Sequence, residues 1–75
     1  MQRAGAVLDV AQNVAVLRCD GEEHPDIGTV VLDADLTEVG RVVDVFGPVE
    51  RPYLAVTPDE GVRLPALVGE TLYAR

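Results

Sequence analysis

The sequence predicts an all-β chain folded as a small six-stranded barrel. Three observations point there. Valine is abundant, and branched side chains pack well on a pleated surface. Glycine and proline interrupt the chain at strand-length intervals. No window of about 12 residues carries apolar side chains at i, i+3, i+4 and i+7 free of glycine, proline or a β-branched run, so no long helix is expected.

The elements follow in chain order. The first strand runs from Ala4 to Val10. Ala11-Gln12-Asn13 turns the chain, and Val14 to Cys19 returns as its hairpin partner. Asp20 to Asp26 is a polar loop with several turn formers. Asp26-Ile27-Gly28 leads into a third strand, Thr29 to Asp33. Ala34 to Glu38 is a short connector with room for one helical turn. The fourth strand is Val39 to Phe46. Gly47-Pro48-Val49-Glu50-Arg51-Pro52 is a tight loop fixed by two prolines, and the fifth strand is Tyr53 to Thr57. Pro58 to Ala66 is an irregular excursion. Leu67-Val68-Gly69-Glu70 introduces a last strand, Thr71 to Ala74.

The fourth strand carries a parity conflict. Val42 and Val45 are three apart, so strict alternation puts them on opposite faces. Either both faces are partly covered, or a β-bulge near Val43-Asp44 resets the alternation.

Length and composition set further bounds. The chain has 75 residues, so residues 1–75 form one domain at most. Domains this small bury a modest core and usually need reinforcement. Cys19 is the only cysteine and His24 the only histidine, so neither an intrachain disulfide nor a zinc site of the usual ligands is available. We expect no metal and no cofactor. Closed β packing, a partner, or both must supply the stability. Cys19 reads as a small buried apolar residue. No run approaches the ~20 apolar residues of a membrane helix. Met1-Gln2-Arg3-Ala4-Gly5 lacks a signal peptide's apolar core. The expected place is the cytoplasm, with no membrane contact.

Charge narrows the function classes. There are 13 acidic residues against six basic ones, all arginines, and the net charge is −7. A free-standing nucleic-acid binder needs a basic face to neutralise phosphates. Here the arginines are scattered along the chain. An acidic excess on an apolar-rich chain without lysine suits a high-salt environment, where counter-ions screen self-repulsion. Catalysis is equally poorly served. Serine is absent, and Cys19 and His24 share no orienting third group. His24-Pro25-Asp26 matches the tripeptide of J-domain cochaperones, but that motif belongs between two helices. Here β-type segments flank it, and it reads as a turn.

One stretch stands out: Val39-Gly40-Arg41-Val42-Val43-Asp44-Val45-Phe46-Gly47-Pro48-Val49-Glu50-Arg51-Pro52-Tyr53. Pro48 and Pro52 fix two φ angles and remove two amide donors, so the loop is stiff before it meets anything. Phe46, Pro48, Val49, Pro52 and Tyr53 gather apolar groups within eight residues. For Phe46 alone, a plug at one barrel end is the simpler expectation. For the set, a preorganised apolar patch fits better, since rigid surfaces lose little entropy on binding.

This stretch resembles the signature of the glycine-arginine-rich-protein subunit of the box H/ACA guide-RNA pseudouridine synthase. Asp26-Ile27-Gly28 and Gly69-Glu70-Thr71-Leu72-Tyr73 are similar to the archaeal members of that family. The resemblance implies a barrel like domain two of translation elongation factors. It implies a non-catalytic subunit that binds the dyskerin-type catalytic subunit and promotes substrate RNA loading and turnover in guided rRNA pseudouridylation. Arg41, Phe46, Gly47, Pro48, Val49, Pro52 and Tyr53 are the expected partner-binding residues. The Arg-Gly-Gly repeats of eukaryotic members are missing here, so guide and substrate RNA should be reached only indirectly. Self-association of the free chain is left open by the sequence. Two other classes compete: a free-standing RNA-binding barrel, which the acidic balance disfavours, and a barrel domain of a translation-type GTPase. A start at Met1 and a polar C-terminus lead us to expect a separate protein rather than such a domain.

Overall fold

Six strands carry the structure: β1 (Gln2–Ala11), β2 (Val14–Arg18), β3 (Val30–Leu32), β4 (Glu38–Phe46), β5 (Tyr53–Pro58) and β6 (Thr71–Ala74). The computed structural model describes residues 2–75, so Met1 lies outside the described residues. Neighbouring strands are antiparallel and close in the order β1-β2-β5-β4-β3-β6. Closure leaves no long unpaired edge for another chain to extend.

Closure also explains why β1 is longer than its apolar pattern suggests. Gln2 and Arg3 pair with Ala74 and Tyr73 of β6, which draws the polar end of the chain into the ladder. β3 is shorter than expected, three residues rather than five. The connector after it holds no helical turn. Asp33 instead accepts hydrogen bonds at Oδ1 from the amides of Asp35 (2.9 Å) and Thr37 (3.0 Å). An aspartate that binds amides two and four residues on competes with the helix those residues could have started. The excursion after β5 ends in a single 3₁₀ turn, Leu64–Leu67, whose Leu64 is buried in the core.

Inward positions of every strand meet in one core. Leu17, Leu54, Val56, Leu72 and Val42 are among its fully buried members. Gly40 shows how tightly β4 approaches β5: a Cβ there would collide with the Thr57 carbonyl, so a side chain would break the corner. Cys19 is buried in the same core, as its apolar reading anticipates.

A bulge resolves the parity conflict in β4. Val42 pairs with Val56 and Asp44 with Ala55, so Val43 is the extra residue. Val42 then points inward, Val45 packs on the core, and Val43 turns out to solvent. Asp44 stabilises the kink by accepting the Val45 amide at 2.9 Å. β1 repeats the device. Leu8 is the extra residue between Val7 and Asp9, and Asp9 accepts the Val10 amide at 2.8 Å.

Candidate functional site

Two loops meet at one end of the barrel. Arg18, the last residue of β2, pairs with Tyr53, the first of β5. Tyr53 also pairs with Phe46, the last of β4. The polar loop leaving β2 and the proline loop joining β4 to β5 therefore emerge side by side. Cys19 ties them together. Its amide donates to the Pro52 carbonyl at 3.0 Å, and its carbonyl accepts Arg51 Nε at 2.9 Å.

The same pairing sets three side chains in a row on the outer wall. The Tyr53 ring stacks on Phe46, with centroids 5.5 Å apart and planes 24° from parallel. The Arg18 guanidinium lies 4.8 Å from the Tyr53 ring centre and donates to its hydroxyl at 3.0 Å. Because β2 and β4 flank β5, the tyrosine is held from both sides. Arg18 Nε is buried without a hydrogen-bond partner, which counts against the arrangement energetically.

Gly47 makes the row possible. Its φ is +85°, and a Cβ there would sit 2.6 Å from Tyr53 Cδ2. Both the backbone conformation and the ring exclude a side chain. Beyond it the loop rises as a tight turn closed by the Arg51 amide on the Pro48 carbonyl, 3.2 Å. Val49 stands at the tip, 82% exposed.

Phe46 is 43% exposed, so it lies on the outer wall and does not plug the barrel end. Pro52 is the loop residue turned inward and buried. Phe46, Gly47, Pro48, Val49 and Tyr53 come together at the surface. Arg41 does not join them. It pairs with Thr57 at the far end of the β4–β5 hairpin, and its guanidinium reaches the Gly28 carbonyl at 3.4 Å.

An open cleft of about 300 Å³ runs between the loops. Val45, Phe46, Gly47, Pro48, Val49 and Pro52 line it from β4 and the proline loop, Glu22 and His24 from the polar loop after β2. His24-Pro25-Asp26 lies in the loop between β2 and β3, with Pro25 buried and no helix beside it. Burial pushes the Cys19 thiol above its ordinary value, and the nearby Asp20 carboxylate adds to the rise. A raised thiol pKa is the opposite of what a nucleophile needs.

A family model described as the Gar1/Naf1 RNA binding region matches residues 1–75. The chain belongs to this family. Membership makes it a Gar1-type, non-catalytic RNA-binding subunit, consistent with an accessory role in the H/ACA ribonucleoprotein. Among curated relatives, an uncharacterised protein of Methanothermobacter thermautotrophicus is 36% identical over 76 residues, spanning 97% of this chain and 82% of that protein. An uncharacterised protein of Methanocaldococcus jannaschii is 42% identical over 38 residues, 51% of this chain and 46% of the other. Among solved structures, the Gar1 domain of Naf1 superposes with a TM-score of 0.78 at 18% identity, covering 97% of this chain and 79% of that one. At that identity the last comparison speaks for the fold.

Three members of this surface were not marked by the sequence pattern: Arg18, Glu22 and His24. Arg18 was within reach. Alternation along β2 places it on the outer face with Val14 and Val16. Glu22 and His24 join only because Cys19 fastens their loop to Pro52, and no local signal announces that contact.

Proposed function

We propose that the chain docks on the catalytic domain of a dyskerin-type pseudouridine synthase and promotes substrate RNA loading and product turnover in guided rRNA pseudouridylation. The docking surface is the β4–β5 loop, with Phe46, Pro48 and Val49 as contacts and Gly47, Pro52 and Tyr53 as the frame that shapes them. The observation that carries this reading is the exposed, proline-stiffened apolar tip on a closed barrel of the Gar1/Naf1 family. A preformed apolar loop loses little entropy on association and gains burial of surface that water now covers. The barrel's kinship with domain two of elongation factors belongs to the same reading, as does a cytoplasmic site of action.

RNA is then met inside the assembled particle. Five of the six arginines are already engaged within the chain. Arg3 pairs with Asp20 (3.5 Å) and Arg75 with Glu38 (3.0 Å). Arg18, Arg41 and Arg51 donate to Tyr53, Gly28 and Cys19. Among the described residues no row of free cations is left to grip a phosphate backbone.

Co-purification of the chain with an archaeal catalytic subunit tests the proposal. A stable complex is expected. A chain that fails to bind that subunit but shifts guide RNA by itself would show a free-standing RNA-binding barrel instead.

A further inference from the structure

The cleft between the two loops is chemically one-sided. Its floor is apolar: the half-exposed Phe46, Pro48 and Val49. Its wall is Glu22 and His24. A carboxylate only accepts hydrogen bonds. His24 Nδ1 lies 3.0 Å from the Pro25 carbonyl, which also only accepts, so that nitrogen carries the ring proton. The Glu22 carboxylate therefore makes this wall an acceptor, and its loop carries Asp20, Glu22, Glu23 and Asp26 on a chain of net charge −7.

We propose that this cleft receives a basic side chain of the docked protein, arginine in preference to lysine. The proposal rests on the docking reading above and names the chemistry of the contact. A basic side chain has an aliphatic stem for the apolar floor and a donor-only head for the acceptor wall. Arginine fits better because its planar guanidinium can lie against the exposed Phe46 ring and still present several donors to the wall. The Phe46 ring is already backed by Tyr53, which Arg18 holds in turn, so it need not be ordered on binding. An RNA phosphate meets the wrong sign of charge here.

The test is calorimetric titration of the catalytic subunit with the wild-type chain, Glu22→Gln and Glu22→Lys. Glu22 is exposed, so both variants should fold, which circular dichroism checks. The expected result is a loss of affinity of about tenfold or more for Glu22→Lys and a smaller loss for Glu22→Gln, as for rim charges facing a desolvated partner. The gap should narrow between ~0.15 M and ~1 M salt, where the screening length falls from about 8 Å to about 3 Å. If the wild type binds and Glu22→Lys binds equally well, the basic occupant is wrong and docking stands. If Glu22→Lys binds more tightly, the occupant is acidic, and the proposal is overturned in favour of phosphate or an acidic segment. If the wild type does not bind at all, the docking reading fails and this inference falls with it.

Discussion

The barrel reverses its chain by hairpin between β1 and β2, between β3 and β4 and between β4 and β5, and the first and last of these differ. Between β1 and β2 the last pair is Ala11 with Val14, so only Gln12 and Asn13 make the turn. Both have positive φ, 53° and 61°, the conformation whose twist matches two antiparallel strands. Nothing protrudes. Between β4 and β5 the last pair is Phe46 with Tyr53, and six residues separate them. Reversal needs two. The surplus is an apolar, proline-stiffened tip at the opposite end of the barrel, fastened below by Cys19 and Arg51. Connections that exceed the geometric minimum and are held rigid are where function concentrates. Stability should therefore be insensitive to the tip and sensitive to what lies under it.

The sharpest contrast lies between neighbours of the β4–β5 hairpin. Leu54 is fully buried one step into β5, whereas Val49 is at the tip. Leu54→Ala should cost about 2–5 kcal/mol in denaturant unfolding, the range for a buried leucine. Val49→Ala should stay within about 0.5 kcal/mol, as exposed substitutions do. Equal losses would mean that the tip is part of the core.

Gly47→Val comes next. It forces a branched residue into positive φ and drives Cβ against Tyr53, so about 1–3 kcal/mol should be lost. The near-ultraviolet signal of Tyr53 should change as its ring leaves Phe46. A variant with unchanged stability and an unchanged tyrosine signal would remove the case for Gly47 as the seat of the row.

Cys19 gives the tethered end a pH signature. Its thiol is held above the ordinary 9.0 by burial first and Asp20 second. The unfolded chain ionises at the ordinary value while the folded chain keeps its proton. The stabilisation is thus complete below that ordinary value and is lost as pH rises through the folded pKa. Melting temperature should fall across that alkaline window, and Cys19→Ala should flatten the fall. The β1–β2 turn offers the smallest effect. Asn13→Gly relieves a left-handed non-glycine residue and should stabilise by at most about 1 kcal/mol. A loss instead would mean that the Asn13 side chain holds the turn.

How much of this was legible follows from where each signal is local. The six strands were, because valine content and glycine–proline spacing act within a few residues. So was the β4 bulge, through the parity of Val42 and Val45. The β1 bulge was legible in principle: Val7-Leu8-Asp9-Val10 repeats the pattern of Val42-Val43-Asp44-Val45, with an aspartate capping the next amide in both. What escaped depends on the closed barrel. The ends of β1 follow from pairing with β6. The inward turn of Pro52 and the arrival of Glu22 and His24 follow from the Cys19 tether. The distance of Arg41 from the tip follows from the length of β4, since neighbours in sequence spread to opposite ends of a strand.

Val49→Asp tests the central claim most directly. The variant is measured twice: for affinity to the catalytic subunit by calorimetry, and for melting temperature as the free chain. A central apolar contact that must bury an unpaired carboxylate should lose at least about 2 kcal/mol, roughly thirtyfold in affinity. The melting temperature should hardly move, because the tip touches no core. Unchanged affinity would place the docking surface elsewhere on the barrel, and a collapse of the free chain would make Val49 a structural residue.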